Sequence, residues 1–185
     1  MLILNFDPFP AFETERLRFH SLSMEHAEKL YHLRGNVLAM KYIGKPVLRS
    51  EAEAIELIDA YNRNLRERTG ITWGISFKDA PGLIGTIGYH KTDPLNYRGE
   101  IGYMIHPDHW FKGIMSEALK KVLDYGFNEI GFHSIEAKIN PENNQSRNIL
   151  LKHNFVKEAY FKESFFENGT FHDTEVYSLI ANPVH

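Results

Sequence analysis

The chain has no cysteine, which removes disulfides, thiolate metal clusters and cysteine nucleophiles and is compatible with a reducing compartment. It has no excess of one charge either: 21 Lys and Arg stand against 24 Asp and Glu, a formal charge of −3. No global basic footprint for nucleic acid follows from that balance, although a local field over a substrate site remains open. No apolar run reaches transmembrane length, and the opening MLILNFDPF has no basic region ahead of a signal-peptide core. Cytoplasmic residence, with no direct binding to nucleic acid or membrane, is the expectation. HExxH and GxxxxGK[ST] are both missing, and the histidines are scattered rather than clustered, so no metal is expected. Internal repeats and long linkers are absent too, and 185 residues can bury a core without staples. A single domain over 1–185 is expected, with residues 1–12 as an N-terminal packing arm.

What is present reads as alternating strands and helices. Arg16 to His20 forms a first strand with Leu17 and Phe19 on one face. Ser23 caps a helix near Met24 to Leu33, whose buried stripe is Met24, Ala27, Leu30 and Tyr31. Asn36 to Gly44 is a short helical or turn connection. Ser50, Glu51, Ala52 and Glu53 fit a capping box for a helix that ends near Arg66 to Gly70. Strands at Ile71 to Phe77, Leu83 to His90 and Glu100 to His106, joined by turns at Asp79-Ala80-Pro81-Gly82 and around Pro94 to Gly99, suit an antiparallel meander. A helix over Gln145 to Lys152 with Asn154 as a left-handed cap follows. Strands at Phe155 to Phe166 and Phe171 to Ile180 are joined by an Asn168-Gly169 hairpin turn.

The organising stretch is Arg98 to Asn143. Ile114, Ala118, Leu119, Val122, Leu123, Phe127 and Ile130 recur at intervals of three or four, so a helix opening near Gly113 presents one apolar stripe to a sheet. With a strand before it and another at His133 to Ile139, the stretch makes a βαβ unit. The loop ahead of Gly113 delivers unpaired backbone N–H groups at the helix N-terminus, where an anion is favoured. An ordinary helix start with a glycine turn fits the same residues.

ETERLRF at 13–19, IGYMIHPDHWFKGIMSEAL at 101–119, PENNQSRNILLKHNF at 141–155 and NGTFHDTEVYSL at 168–179 stand in an order and spacing that resembles the GNAT acetyltransferase superfamily. The likeness is greatest to its branch of ribosomal-protein alanine N-acetyltransferases. The family's phosphate-loop pattern, Arg or Gln, two variable residues, Gly, one variable residue, then Gly or Ala, falls on Trp110 to Met115 and departs from it at both ends. The resemblance implies an α/β fold: a single GNAT-like domain with a mixed central sheet, flanked by helices and opened around acetyl-CoA. It implies main-chain contacts from Met104 and His106 to the pantetheine, and Phe111, Lys112, Gly113, Met115 and Ser116 around the phosphates. Trp110 is expected to pack the loop. Asn143 and Ser146 fall beside the lower cofactor arm, where an amide can hold a pantetheine carbonyl and a hydroxyl can approach the departing thiolate.

The chemistry that follows is acetyl transfer to a primary amine, with a backbone N–H near Met104 steadying the oxyanion. An amine must be neutral before it attacks a thioester, and Glu100 is the expected base, with His90 second. Many family members carry a general-acid tyrosine where this chain has Leu151 or Lys152. A Ser146, His133, Asp173 triad can be drawn, but nothing in the sequence brings the three together. The expected acceptor is a peptide or protein α-amine, with a ribosomal protein as one possibility. A small-amine enzyme and a catalytically silent acyl-CoA-binding module are the alternatives, because acceptor choice rests on the less distinctive walls at 24–70 and 156–173.

Overall fold

A computed structural model describes residues 1–167 and 169–181. In chain order its elements are β1 (Phe12–Glu13), β2 (Leu17–His20), α1 (Ala27–Arg34), α2 (Val37–Met40), α3 (Glu51–Arg66), β3 (Ile71–Phe77), β4 (Gly85–Asp93) and β5 (Arg98–Ile105), followed by α4 (Ile114–Tyr125), β6 (Ser134–Ile139), α5 (Asn144–Lys152), β7 (Val156–Glu167) and β8 (Thr170–Ile180). The strands form one eight-stranded sheet in the order β1-β2-β3-β4-β5-β6-β8-β7. Every neighbouring pair is antiparallel except β5 and β6.

Strand alternation divides the core into two layers. Ile101 and Ile105 of β5 join the layer under α4 and α5, with Ile114, Ala118, Leu119, Val122 and Leu150. Met104 of β5 points the other way, into the layer under α1 and α3 with Leu30, Leu33, Ala54 and Ile58. Each of the larger side chains (Ile, Leu, Val, Met) contributes about 1.5–3 kcal/mol when fully buried. The helix stripe at 24–33 is shifted from expectation. Residues 24–26 form a 3-10 turn that leaves Met24 66% exposed, and the buried positions are Ala27, Leu30 and Leu33.

Other local expectations hold with adjustments. Ser50 Oγ accepts from Glu53 N at 3.3 Å, but Glu53 Oε2 accepts from Arg49 N at 2.8 Å, so the reciprocal half of the capping box falls one residue early. Asn154 is left-handed, at φ 64°. The return from β7 to β8 has Gly169 at φ 80°, while Asn168 lies outside the described residues. The first residues dock against the sheet: Leu4 and Phe6 are buried, and Trp73 Nε1 donates to Pro10 O at 2.7 Å.

The feature that positions the site is the parting of β5 and β6. They pair only over Arg98 to Glu100 with Ser134 to Glu136, although β5 runs on to Ile105 while β6 continues beside β8 as far as Ile139. On the α1–α3 face a chain of ion pairs spans the closed end. Arg98 meets Glu136 at 2.7 Å, and Lys138 meets Glu136 at 3.2 Å and Glu100 at 2.7 Å. On the opposite face α5 is held to β7 and β8 through Glu175, which pairs with Arg147 at 3.1 Å and Lys157 at 2.6 Å.

Helix α4 is locked by one tyrosine. The hydroxyl of Tyr89, buried on β4, donates to Val122 O at 2.8 Å, and the α-helical ladder gives way to a π turn at Gly126–Ile130, where the expected helix would have run on. A Cβ at Gly126 would stand 2.0 Å from that hydroxyl oxygen. The variant Gly126→Ala is therefore expected to lose about 1–3 kcal/mol by overpacking. Urea unfolding checks this, and a midpoint equal to wild type would show that the tyrosine yields without strain.

Candidate active site

At the head of α4 the chain takes two left-handed residues, Phe111 at φ 60° and Gly113 at φ 73°. The Phe111 side chain is 88% exposed. A Cβ at Gly113 would meet nothing closer than Arg16 Nη2 at 3.6 Å, so one side of the loop is open, and no side chain caps the helix. The N–H groups of its first turn are free to take an anion. Met115 turns its side chain into the core. Lys112 Nζ donates to Asp108 O at 2.7 Å. Trp110 Nε1 donates to Ile105 O at 3.0 Å, and Trp110 packs the loop.

Thr14 and Arg16 carry a role not read from ETERLRF beyond its strand. Glu117, in the first turn of α4, accepts from Thr14 Oγ1 at 2.6 Å and Arg16 N at 2.9 Å, and pairs with Arg16 Nε at 2.6 Å. Arg16 Nη1 also donates to Lys112 O at 3.0 Å. A guanidinium thus stands beside the open loop, fixed from both sides.

The pairing of β4 with β5 corrects the expected main-chain contacts. His106 N donates to Ile84 O at 2.9 Å, and Met104, opposite Thr86 in the same register, also directs its backbone groups toward β4, because antiparallel ladders alternate. Tyr103 therefore presents its backbone groups to the open edge beside β6, as Ile105 does its N–H, while the Ile105 carbonyl accepts from Trp110 Nε1. An offset of one residue separates the expected pair from this one.

Ser146 is buried in the first turn of α5, where Asn143 Oδ1 accepts from its N–H at 3.0 Å. Asn143 thus caps the helix through Oδ1, and its amide nitrogen has no hydrogen-bond partner among the described residues. Ser146 Oγ lies 2.8 Å from the hydroxyl of Tyr103. Burial pushes the Tyr103 phenol up to about 12 against the lowering effect of that contact, so it keeps its proton at neutral pH. A phenol is thus present beside Ser146, supplied by β5 rather than by the helix position of Leu151 and Lys152. Ser116 Oγ lies 2.8 Å from His153 Nε2, joining α4 to α5. The Ser146, His133, Asp173 triad is not assembled: Ser146 partners Tyr103, and Asp173 partners Tyr160 and the Glu163 N–H.

On the α1–α3 face, β4 has a bulge between Tyr89 and Lys91 that aims His90 across β5. The ring lies over Gly102, where a Cβ would be 2.5 Å from its Cδ2. His90 is open to solvent by area yet densely surrounded by protein, as befits a side chain lining a cleft. Desolvation lowers its pKa first, and the Arg34 charge pushes the same way against a smaller opposing effect from Glu100. The open ring edge argues for modest desolvation and the crowding for more; both give a neutral imidazole at pH 7. Glu100 itself is held by Lys138 at 2.7 Å. Beyond this cleft, Gly44 faces the Phe165 ring so closely that a Cβ there would come within 2.9 Å of it, and the α2–α3 loop and the β7–β8 hairpin thus meet. A cavity of about 660 Å³ is lined by Lys29, His32, His106 and His109. It adjoins the far end of β5 rather than His90.

The parted parallel strands, the open left-handed loop and the bulge-borne histidine stand where comparison with known proteins can be read. Residues 16–156 match the model of the acetyltransferase (GNAT) domain. The chain belongs to the GNAT family of N-acetyltransferases. Among its relatives it is 38% identical over 172 residues to the uncharacterized N-acetyltransferase YoaA of Bacillus subtilis (strain 168), covering 93% of this chain and 97% of that protein. It is 26% identical over 170 residues to the ribosomal-protein-serine acetyltransferase of Escherichia coli (strain K12), covering 90% and 94%. A solved structure of RimL, a ribosomal L7/L12 alpha-N-protein acetyltransferase in complex with coenzyme A, superposes with a TM-score of 0.82 at 20% identity, covering 92% of this chain and 98% of that one. Among the described residues no helix is long and apolar enough to cross a membrane, and no cluster of His, Asp and Glu suited to a metal occurs.

The packing of His90 on Gly102 yields a test of the site's electrostatics. Gly102→Ala must displace the ring, so the imidazole titration followed by NMR is expected to move up toward the ordinary histidine value. An unmoved titration would show that the lowered pKa does not depend on this contact.

Proposed function

We propose that this protein is an acetyl-CoA-dependent N-acetyltransferase of the cytoplasm that acts on the α-amine of a peptide or protein, ribosomal proteins included, with its catalytic domain over 1–185 and residues 1–12 as a packing arm of that domain. The observation that carries the reading is the β5–β6 opening, which begins beyond Glu100 and ends at the open Gly113 loop. A groove with an unpaired strand edge along one side and free helix N–H groups at its end suits a pantetheine arm and a pyrophosphate. In this reading the backbone groups of Tyr103 and the Ile105 N–H hold the arm, while Phe111, Lys112, Gly113, Met115 and Ser116 surround the phosphates with Arg16 added. The free amide of Asn143 orients the lower arm.

Bound acetyl-CoA supplies an activated acetyl thioester. On the acceptor side, His90 and Glu100 remove the amine's proton: the neutral imidazole takes it, and the Glu100 carboxylate, fixed by Lys138, steadies the resulting cation. A backbone N–H on the open edge of β5 steadies the carbonyl oxygen as charge builds there. Ser146 holds a proton at Oγ for the sulfur, and Tyr103, 2.8 Å away, replaces it. A silent acyl-CoA-binding module is the opposed reading, and it would bind the same cosubstrate without transfer.

Calorimetry is expected to show saturable, metal-independent acetyl-CoA binding that weakens about tenfold or more when Gly113 is made Val, since a β-branched residue resists a positive φ. Failure of the folded protein to bind would remove the groove assignment.

Mass spectrometry of an amine panel is expected to show acetyl transfer to peptide α-amines, with His90→Asn lowering kcat by about 10²-fold or more and Glu100→Gln by less. Because the His90 pKa is depressed, kcat should hold to a lower pH than an ordinary histidine would allow and then fall as the imidazole protonates. A profile unaltered by His90→Asn would take His90 out of the reaction, and binding without transfer to any amine would favour the silent module.

A further inference from the structure

Arg34, the last residue of α1, is a cation without an anion. Its Nε is buried and has no hydrogen-bond partner, and its Nη1 donates only to the Met104 sulfur, at 3.5 Å. A thioether is a weak acceptor, so a partly buried guanidinium has been left short of oxygen, an arrangement that costs stability unless something else supplies one. The neighbouring carboxylates are already committed: Glu100 to Lys138, and Glu136 to Arg98 and Lys138. No ion pair reaches Arg34 among the described residues. Yet Arg34 lies close enough to His90 for its charge to be felt there, and its contact is the side chain of Met104, on the β5 face that looks away from α4.

Building on the acetyltransferase reading, we propose that Arg34 is the specificity-determining residue of the acceptor cleft: its guanidinium takes a carbonyl or carboxylate oxygen that the acceptor carries two or three bonds from the reacting amine. An α-amino peptide has such an oxygen in its first carbonyl. A guanidinium presents a planar fork of donors to it, and the amine is then set against the His90 ring. Polyamines are selected against by the same group. They carry several positive charges and need free carboxylates, whereas this cleft offers Arg34, Arg98 and Lys138 against two paired carboxylates, beside a histidine that stays neutral. Spermidine would bring more positive charge to a cation that has no counter-ion.

The test uses the full chain loaded with coenzyme A, so that binding is read without turnover. Calorimetry compares an alanine-initiated tetrapeptide amide, the same peptide with its first amide replaced by an (E)-alkene, which removes the carbonyl oxygen and the N–H at nearly constant shape, the matching ester, which removes the N–H alone and is expected to bind like the amide, and spermidine. The intact peptide is expected to bind about tenfold or more tighter than the alkene peptide, with spermidine weakest. Arg34→Met should abolish the difference between the amide and alkene peptides while leaving coenzyme A affinity unchanged, and Arg34→Lys should reduce it. Equal binding of the amide and alkene peptides by the wild-type protein, tighter binding of spermidine, or discrimination that survives in both variants overturns the proposal. The wild-type comparison stands even if a variant folds poorly. Acetyl transfer to the same ligands is measured separately: if none is acetylated while the peptides are still discriminated, the enzymatic reading fails and the role of Arg34 in recognition stands.

Discussion

Two parallel strands that pair along their whole length leave no room between them, and a sheet that opens exposes backbone groups that must find other partners. The site depends on how β5 and β6 resolve that conflict. They are stapled at one end, where Arg98, Glu136, Lys138 and Glu100 form a continuous chain of ion pairs, and they part immediately beyond it. The staple lies on the acceptor face and includes Glu100. The carboxylate nearest the proposed proton acceptor therefore also marks where the groove begins. Exposed ion pairs are individually worth little; here several are linked across two strands and half-shielded, which favours one geometry of the opening over slippage.

The other end of the groove is set by α4, and α4 is constrained at both ends by residues remote in sequence. Glu117 is clamped by Thr14 and Arg16, and the last turns are pinned by Tyr89 against Gly126. Between these anchors the apolar stripe of the helix supplies burial but no axial position. A helix N-terminus used for anion binding has to be placed to a fraction of an ångström, so the polar clamps matter more to function than their share of stability suggests.

The α4 stripe, the meander, the βαβ unit and the terminal hairpin were all legible, because hydrophobic period and turn residues are local properties. The one-residue offset from Met104 and His106 to Tyr103 and Ile105 was not, since it depends on which backbone groups β4 takes, and His106 donating to Ile84 is a fact of register. Met24 failed differently: the period was right, but a 3-10 turn rotated the first residues out of the stripe. Arg34 had no sequence signal at all. A lone arginine at the end of a helix ordinarily marks a solvated C-terminus, and what makes Arg34 unusual is a buried Nε without a partner and no ion pair among the described residues. Arg16 and Thr14 were visible within ETERLRF, but the partner that explains them, Glu117, lies a hundred residues on.

Tyr103 places a phenol near α5 from a different element than the family position on the helix. Helix α5 offers Leu151 and Lys152 where a phenol is common in the family, and neither can return a proton to a thiolate in the same way. Strand β5 runs along the opposite wall of the groove, and its side chain at 103 points to the α5 face, where it meets Ser146. The two hydroxyls meet across the opening, and in the proposed reaction they stand in for a phenol carried on the helix. The same contact bridges β5 to α5 on the side where β6 has departed, so the pair is also a strut: its two ends sit on the walls of the groove, and the distance between them, 2.8 Å, is set by how far the strands have opened. In the proposed reaction, proton return would thereby be tied to groove width, because a sheet opened too little or too far would break the Tyr103–Ser146 hydrogen bond.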